Sequence, residues 1–359
     1  MSFSEEKREI IKKEMLNYIR KDRADFVKAI SEKFDISATS VKRYIKECLK
    51  NHIILCDPLR ECKYKMYTIK KEFSILKRGR IEEHQIFKKE ILPLLEGISK
   101  EAVQSWNYAF CEIMNNAIEH SKREEIRCIF ERDYLYTRIS IVDDGVGIFK
   151  NIGKYIQAAT GESFTNDDIM LELYKGKLTT KPAEHSGEGI YFASKVTSSF
   201  AIWSDQTLFS IENIEENKPM QEILNAYLKR FHNVGTIVIM EIENDTSVSP
   251  RQVFEKYAPA GVGFVRTYLP LERISTFGEL SARSQARRVI YRLDRFRQIE
   301  LDFKNVDFMG QAFADELFRI FQSKYPYIQL YVLNANETVS GMIQYIENEV
   351  KGKVNSYEA

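Results

Sequence analysis

The chain has 359 residues, 44% of them hydrophobic, and 53 Lys/Arg against 52 Asp/Glu leave a net charge of +1. This is the composition of a globular protein long enough for two or three domains, and so balanced a total names no polyanionic partner. No run approaches the roughly 18 apolar residues of a membrane span, and the first residues lack the apolar core of a signal peptide, so a cytoplasmic location without a membrane partner is expected. The five cysteines, Cys48, Cys56, Cys62, Cys111 and Cys128, form no Cys-x-x-Cys pair, which argues against a zinc knuckle and a disulfide framework.

The neutral total hides an asymmetry: up to Arg80 the chain carries a net charge of about +9. Helical periodicity comes in three bursts there, Ile10-Ile11-Met15-Tyr18-Ile19, Phe26-Val27-Ile30-Phe34 and Val41-Tyr44-Ile45-Leu49. Ser37 stands where an N-cap would open the third helix. Ile53–Leu55 and Tyr64–Thr68 then suit a hairpin. Residues 1–75 resemble a winged helix-turn-helix, with Ser37–Asn51 the recognition helix and the hairpin its wing. The resemblance implies DNA as a partner, with Ser40, Lys42, Arg43 and Lys46 at the major groove or its phosphates and Lys63 and Lys65 on the flanking backbone. The alternative is a protein-binding module with a solvated basic face.

The middle of the chain, 80–245, holds three polar clusters at three element ends. Phe87, Ile91 and Leu94–Leu95 suit a first helix, and Gln104–Ser121 a second. On that second helix Glu112, Asn116 and His120 stand at i, i+4 and i+8 and share a face. An amide oxygen there is a hard ligand of the kind Mg²⁺ accepts when phosphates and waters complete its shell, and a carboxylate one turn away can take a proton from an attacking water. Ile126–Phe130 and Leu135–Val142 suit a hairpin whose second strand breaks into Asp143-Asp144-Gly145-Val146-Gly147-Ile148. Glycines at such a turn allow positive φ and the close approach of a flat ligand, and Asp143 is placed to accept from an exocyclic amine. Gly187-Glu188-Gly189 opens a further helix, where free N–H groups favour an anion. Between the glycine clusters, Asn166–Pro182 is long and polar enough for a nucleotide lid, whose Lys177, Thr179, Thr180 and Lys181 could meet phosphates. Strands Ser199–Trp203, Thr207–Ile211 and Thr236–Glu241 are expected to complete an antiparallel or mixed sheet, with a surface turn at Glu212–Lys218.

In order and spacing these clusters resemble the N box and glycine boxes of the GHKL ATP-binding family, which includes gyrase and the histidine kinases. The resemblance implies ATP and Mg²⁺ as cofactors. It gives Glu112 the catalytic or water-orienting role, Asn116 the Mg²⁺ ligand, Asp143 the adenine acceptor, and Ser186, Gly187, Glu188, Gly189 and Ile190 the phosphate turn. Gly145, Gly147 and Ile148 form the first glycine box, and Gly235-Thr236 resembles the late Gly-Thr strand whose Thr supports the Asp. Glu119 resembles the ATPase branch, in which a carboxylate contacts water at the adenine site.

After Asn244–Pro250, which suits a linker, strands and helices alternate over 262–355: helices at Ser281–Leu293, Gly310–Gln322 and Glu337–Val350, strands at Gln298–Phe303 and Tyr327–Leu333. Alternation implies a sheet containing parallel strands. The run Ile299–Phe313 resembles the STAS-like domains found behind GHKL modules, which implies a protein partner. Where antagonist relatives carry a phosphoacceptor Ser, the chain reads Gly310-Gln311-Ala312-Phe313 with no hydroxyl, which argues against a kinase and its substrate joined in one chain.

The fold class expected is α+β: winged helix, GHKL α/β sandwich, then STAS-like domain. The function expected is a slow Mg²⁺-dependent ATPase whose nucleotide state controls DNA or protein binding, the alternatives being a Ser/Thr protein kinase acting on a separate partner and a nucleotide sensor without hydrolysis. A homodimer is compatible with each.

Overall fold

The computed structural model describes residues 4–76, 82–120, 125–161, 163–179, 187–211, 217–231, 234–275 and 278–357. Helix α1 (Glu5–Arg20) starts at Ser4, whose hydroxyl accepts the Lys7 amide at 3.3 Å, and buries Ile11, Met15, Leu16 and Ile19 as a single stripe. After α2 (Phe26–Phe34) the chain reverses through Asp35 in the left-handed region. Ser37 does cap α3 (Ala38–Lys50), its Oγ accepting the Ser40 amide at 3.2 Å. Because Val41, Tyr44, Ile45 and Cys48 turn inward, Lys42, Arg43 and Lys46 are left outward. Strands β1 (Ile54–Cys56) and β2 (Tyr64–Met66) pair antiparallel as the expected hairpin. β3 (Ile69–Leu76) has no counterpart in the sequence expectations: Lys70, Lys71 and Glu72 hide its alternation, and only pairing with a neighbour makes it a strand.

Helix α4 (Glu83–Ile86) runs on through a π turn at Phe87–Ile91 into a 3-10 turn at Leu92–Leu95, where Pro93 has no N–H to continue the ladder. Then come α5 (Lys100–His120), β4 (Glu125–Arg132) and β5 (Tyr136–Asp143). α6 (Ile148–Thr160), α7 (Asn166–Lys175) and α8 (Gly189–Val196) precede β6 (Ser199–Ser204), β7 (Thr207–Ser210), α9 (Lys218–Arg230) and β8 (Thr236–Glu243). The strands form a sheet of order β3-β4-β5-β8-β6-β7 with every pairing antiparallel. Of the turn expected at Glu212–Lys218, 212–216 lie outside the described residues. Lys218 already belongs to α9, which Asn217 caps and Pro219 opens. α9 and the residue after it lay Met220, Leu224, Tyr227 and Phe231 over Ile129, Val142, Ala201, Ile237 and Ile239. With a period of two, Ile139, Ile141, Val238 and Met240 point to the other face, where α5 packs against β5 and β8.

By packing, 1–148 and 193–249 make one unit, and 149–192 with 250–359 make another. In the first unit the N-terminal helices are fastened to the sheet. Leu135 and Tyr136 of the β4–β5 hairpin enter the core of α1–α3. Beside them Glu241, 2% exposed, accepts from Arg138 at 2.6 Å and from Arg20 of α1, while Arg138 also holds Glu131 at 3.0 Å. A buried carboxylate is tolerated here because two guanidiniums surround it.

In the second unit the segment expected as a polar lid contains a helix. Thr165 and Asp168 form a reciprocal capping box at the start of α7, and Ile169, Leu171, Leu173 and Tyr174 are buried. Local polarity at Asn166-Asp167-Asp168 marks the first turn, where carboxylates favour the N-terminal dipole. Beyond α10 (Pro250–Tyr257), β9 (Arg266–Pro270) joins a three-stranded parallel sheet. The short β10 (Glu279–Leu280), α11 (Arg283–Ile290), β11 (Gln298–Asp302) and β12 (Phe308–Met309) follow. α12 (Gln311–Ala314) continues through a π stretch, Asp315–Phe321, into α13 (Gln322–Lys324), and β13 (Gln329–Leu333) leads to α14 (Glu337–Tyr357). The parallel order is β13-β11-β9, as alternation implied. Ile299 and Leu301 of the central strand are fully buried, and Asp302 is satisfied by the Lys304 amide (2.9 Å), Asn334 (2.8 Å) and the Tyr268 hydroxyl. The chain is α+β.

Candidate functional site

The first unit assembles a candidate site of its own at the end of the six-stranded sheet. Asp143, last residue of β5, is paired in register with Thr236, first residue of β8, and Thr236 with Ser204, last residue of β6. Three strand ends therefore meet. Asp143 turns one carboxylate oxygen onto the Gly145 amide at 2.8 Å, and its carbonyl accepts the Gly235 amide at 2.9 Å. The two glycine turns lie against one another: a Cβ on Gly235 would stand 2.5 Å from the backbone of Gly145. Gly147, at φ +88°, is as constrained, since a Cβ there would meet the Asp205 carboxylate at 2.5 Å and the Ser204 hydroxyl at 2.7 Å. The Ser204 hydroxyl accepts the Ile148 amide at 3.1 Å and donates to the Gly235 carbonyl at 2.6 Å, joining one turn to the next.

Glu112, Asn116, Glu119 and His120 are half-buried on α5, whose Ile113, Met114 and Ala117 turn into the core against β5 and β8. Glu119 accepts from Asn115 at 3.0 Å, which holds its carboxylate along the helix. Burial pushes the Cys111 thiol up to about 12, so the neighbour of Glu112 is no nucleophile near neutral pH. Among the described residues no three His, Cys, Asp or Glu side chains gather in a way that could hold a metal ion, so a metal at Asn116 would draw on oxygens of a ligand and on water. One polar atom in the turn fits a bound group: Oδ1 of Asp144 is buried with no hydrogen-bonding partner among the described residues. A buried carboxylate oxygen is costly in that state and suits a donor from a ligand or water.

In the second unit, Gly187 (φ +74°) accepts the Leu178 amide at 3.1 Å, and a Cβ on it would stand 2.6 Å from the Leu178 backbone. This joins Lys177, Leu178 and Thr179 to the turn Gly187-Glu188 and the start of α8 at Gly189-Ile190, all half-buried. Lys177 is turned elsewhere: its Nζ donates to the Arg295 carbonyl at 2.9 Å and lies 4.6 Å from the Phe296 ring centroid. Burial lowers its pKa. Thr180, Lys181 and Ser186 lie outside the described residues.

On the N-terminal helices, Lys42, Arg43 and Lys46 are exposed along α3, whereas Ser40 is half-buried, its hydroxyl 3.0 Å from that of Ser37 in the helix cap. In the hairpin, Lys65 pairs with Asp57 at 3.3 Å and Lys63 donates to the Pro58 carbonyl at 3.3 Å. All five cysteines are free thiols.

Sequence reasoning passed over Ser204, Asp205 and Asn115. Ser204-Asp205 is an unremarkable strand end in sequence, and only the sheet order brings it beside Gly147. Compared with known proteins, the chain matches none of the curated ones. Residues 285–340 do match a family described as the STAS-like domain of unknown function (DUF4325), so the chain carries a STAS-like domain within its second unit.

Proposed function

We propose that the first unit binds ATP with Mg²⁺, and that the protein is an ATP-responsive regulator that hydrolyses ATP slowly. The observation that carries this reading is the meeting of Asp143, Gly145, Gly147 and Thr236 at the ends of β5 and β8, beside a buried oxygen of Asp144 that has no hydrogen-bonding partner among the described residues. Asp143 would accept from the exocyclic amine of adenine, and Gly145 and Gly147 shape the turn that directly follows it. Asn116 would hold Mg²⁺ through its amide oxygen, and Glu112, one turn before it on α5, would orient a water and take its proton. When bound, Mg²⁺-ATP supplies the phosphoanhydride and the neutralising charge. Lys42, Arg43 and Lys46, exposed on α3 of the same unit, supply the contacts to DNA phosphates.

The STAS-like domain favours signalling by conformation over phosphate transfer within one chain, because Gly310 is the N-cap of α12 and no hydroxyl follows it in Gln311-Ala312-Phe313. The test is calorimetric titration with Mg²⁺-ATP of the wild type, Asn116→Ala and Asp143→Ala, followed by incubation with labelled ATP. Binding by the wild type, loss in both variants and label appearing as free phosphate are expected. Equal affinity in all three proteins would overturn the nucleotide reading. Label on an added STAS protein would replace the ATPase with a kinase, and binding without any turnover would leave a sensor.

A further inference from the structure

Within the second unit, the segment between the two glycine clusters is fastened to residues of the STAS-like domain by a buried ion cluster. Lys175, the last residue of α7, is 1% exposed, and its ammonium donates to Glu172 (2.5 Å) and to the carbonyls of Arg288 (2.9 Å) and Tyr291 (2.7 Å). All three protons are thus used, two of them at the end of α11. Arg292, from the turn after α11, reaches back and donates to the other Glu172 oxygen at 3.0 Å and to the Lys177 carbonyl at 2.6 Å. At the opposite end of α7, Arg288 pairs with Asp168 at 3.3 Å.

Packing repeats the pattern on both sides of this cluster. The Thr267 hydroxyl of β9 donates to the Lys175 carbonyl at 2.8 Å, and Lys177 donates to the Arg295 carbonyl. Gly176, at φ +79°, is pressed against Phe264, where any Cβ would stand 2.7 Å from the ring. Past the Leu178–Gly187 contact, Tyr191 packs on Phe264 (4.7 Å between centroids) and Phe192 stacks on Phe254 (4.4 Å). Residues 166–179 and 187–192 are thus both held.

We propose that Glu172, Lys175 and Arg292 are positioning residues that make the 166–179 stretch a working part of the STAS-like domain, so that whatever orders or shifts that domain sets the Leu178–Gly187 contact. Treating the segment as a nucleotide lid rests on the ATP reading above; the clamp itself does not. Its chemistry suits coupling. A charged cluster shared between α7 and the carbonyl end of α11 has one good arrangement: losing Glu172 or Lys175 leaves buried charge without compensation, and losing Arg292 leaves the second Glu172 oxygen and the Lys177 carbonyl without their donor.

Hydrogen exchange on the full chain without nucleotide tests it. In Arg292→Ala, peptides covering 166–179 and 187–196 should exchange about tenfold faster or more, together with 283–295, while 125–143 keeps its wild-type rate. Arg292→Lys, which can restore a donor to Glu172, should recover part of the protection. Unchanged exchange at 166–179 in Arg292→Ala would overturn the clamp. Should that variant lose protection at 125–143 as well, Arg288→Ala decides, because it removes a half-exposed pair only: faster exchange over 166–175 supports the clamp and an unchanged rate overturns it. Titration of the wild type with Mg²⁺-ATP separates the two claims, since an absence of binding there sinks the nucleotide reading and leaves the exchange result standing.

Discussion

Replacing Gly235 by Ala tests the packing of the two glycine turns directly. The new Cβ would lie 2.5 Å from the Gly145 nitrogen and oxygen and 2.6 Å from its carbonyl carbon, against 3.4–4 Å for ordinary contact, so one turn must retreat by about 1 Å. Both sides are backbone, with no flexible side chain to yield. Gly145 is held to Asp143 by a 2.8 Å hydrogen bond, so a shift of the turn moves the carboxylate proposed to accept adenine. Overpacking of this kind costs about 1–3 kcal/mol, and if the cost falls on the ligand-competent geometry, ATP affinity drops by about tenfold for each 1.4 kcal/mol. Thermal unfolding and calorimetric titration with Mg²⁺-ATP should be run in parallel, with Gly341→Ala of α14 as control, since a Cβ there meets nothing within 4 Å. Lower stability with unchanged ATP affinity would show that the Asp143 turn is not where the base binds. Unchanged stability would refute the contact itself.

Glu112→Ala should keep ATP binding and cut turnover by roughly 10²-fold or more, the range for losing a positioned base; wild-type turnover would make Glu112 a structural residue of α5. If Lys42, Arg43 and Lys46 each neutralise one phosphate, their share of DNA affinity should fall about 40-fold between 50 and 200 mM salt, and Arg43→Glu should both weaken binding and flatten that dependence. A nonhydrolysable ATP analogue should shift DNA affinity by about 1–3 kcal/mol, with DNA shifting analogue affinity equally; identical DNA titrations with and without analogue would refute the coupling. The attachment of α1 to the sheet should fail in acid. Burial alone would raise Glu241 and Glu131, but Arg20 and Arg138 around the first, and Lys70 and Arg138 around the second, outweigh it and hold both carboxyls below their ordinary 4.5. Because the folded values are the lower ones, this stability is complete above about pH 4.5 and is lost as pH falls through them. Asp133 beside Arg20 runs the other way, raised by burial, and softens the loss. Unfolding midpoints measured between pH 6 and pH 3 should drop less in Glu241→Gln than in the wild type, and an equal drop would refute the assignment.

What the sequence determined by itself is local. Ser37 caps α3 because its hydroxyl reaches an amide three residues on, and Val41, Tyr44, Ile45 and Cys48 share a face because of the helical period. The same applies to the strand that ends at Asp143 and to the parallel strands beyond 262, whose alternation with helices left few other topologies. Three features were decided only by the tertiary structure. β3 is a strand because β4 offers it a full register, although three consecutive charges mask its pattern. Ser204 reaches Gly147 because β8 lies between β5 and β6, an order that no local signal encodes. The polar stretch after Thr165 reads as a lid until Leu171, Leu173 and Tyr174 find a core, and Lys175 is buried only because Glu172 and the carbonyls of Arg288 and Tyr291 enclose it. Burial of a charge depends on partners more than a hundred residues away in the chain, and spacing along the sequence carries no record of them.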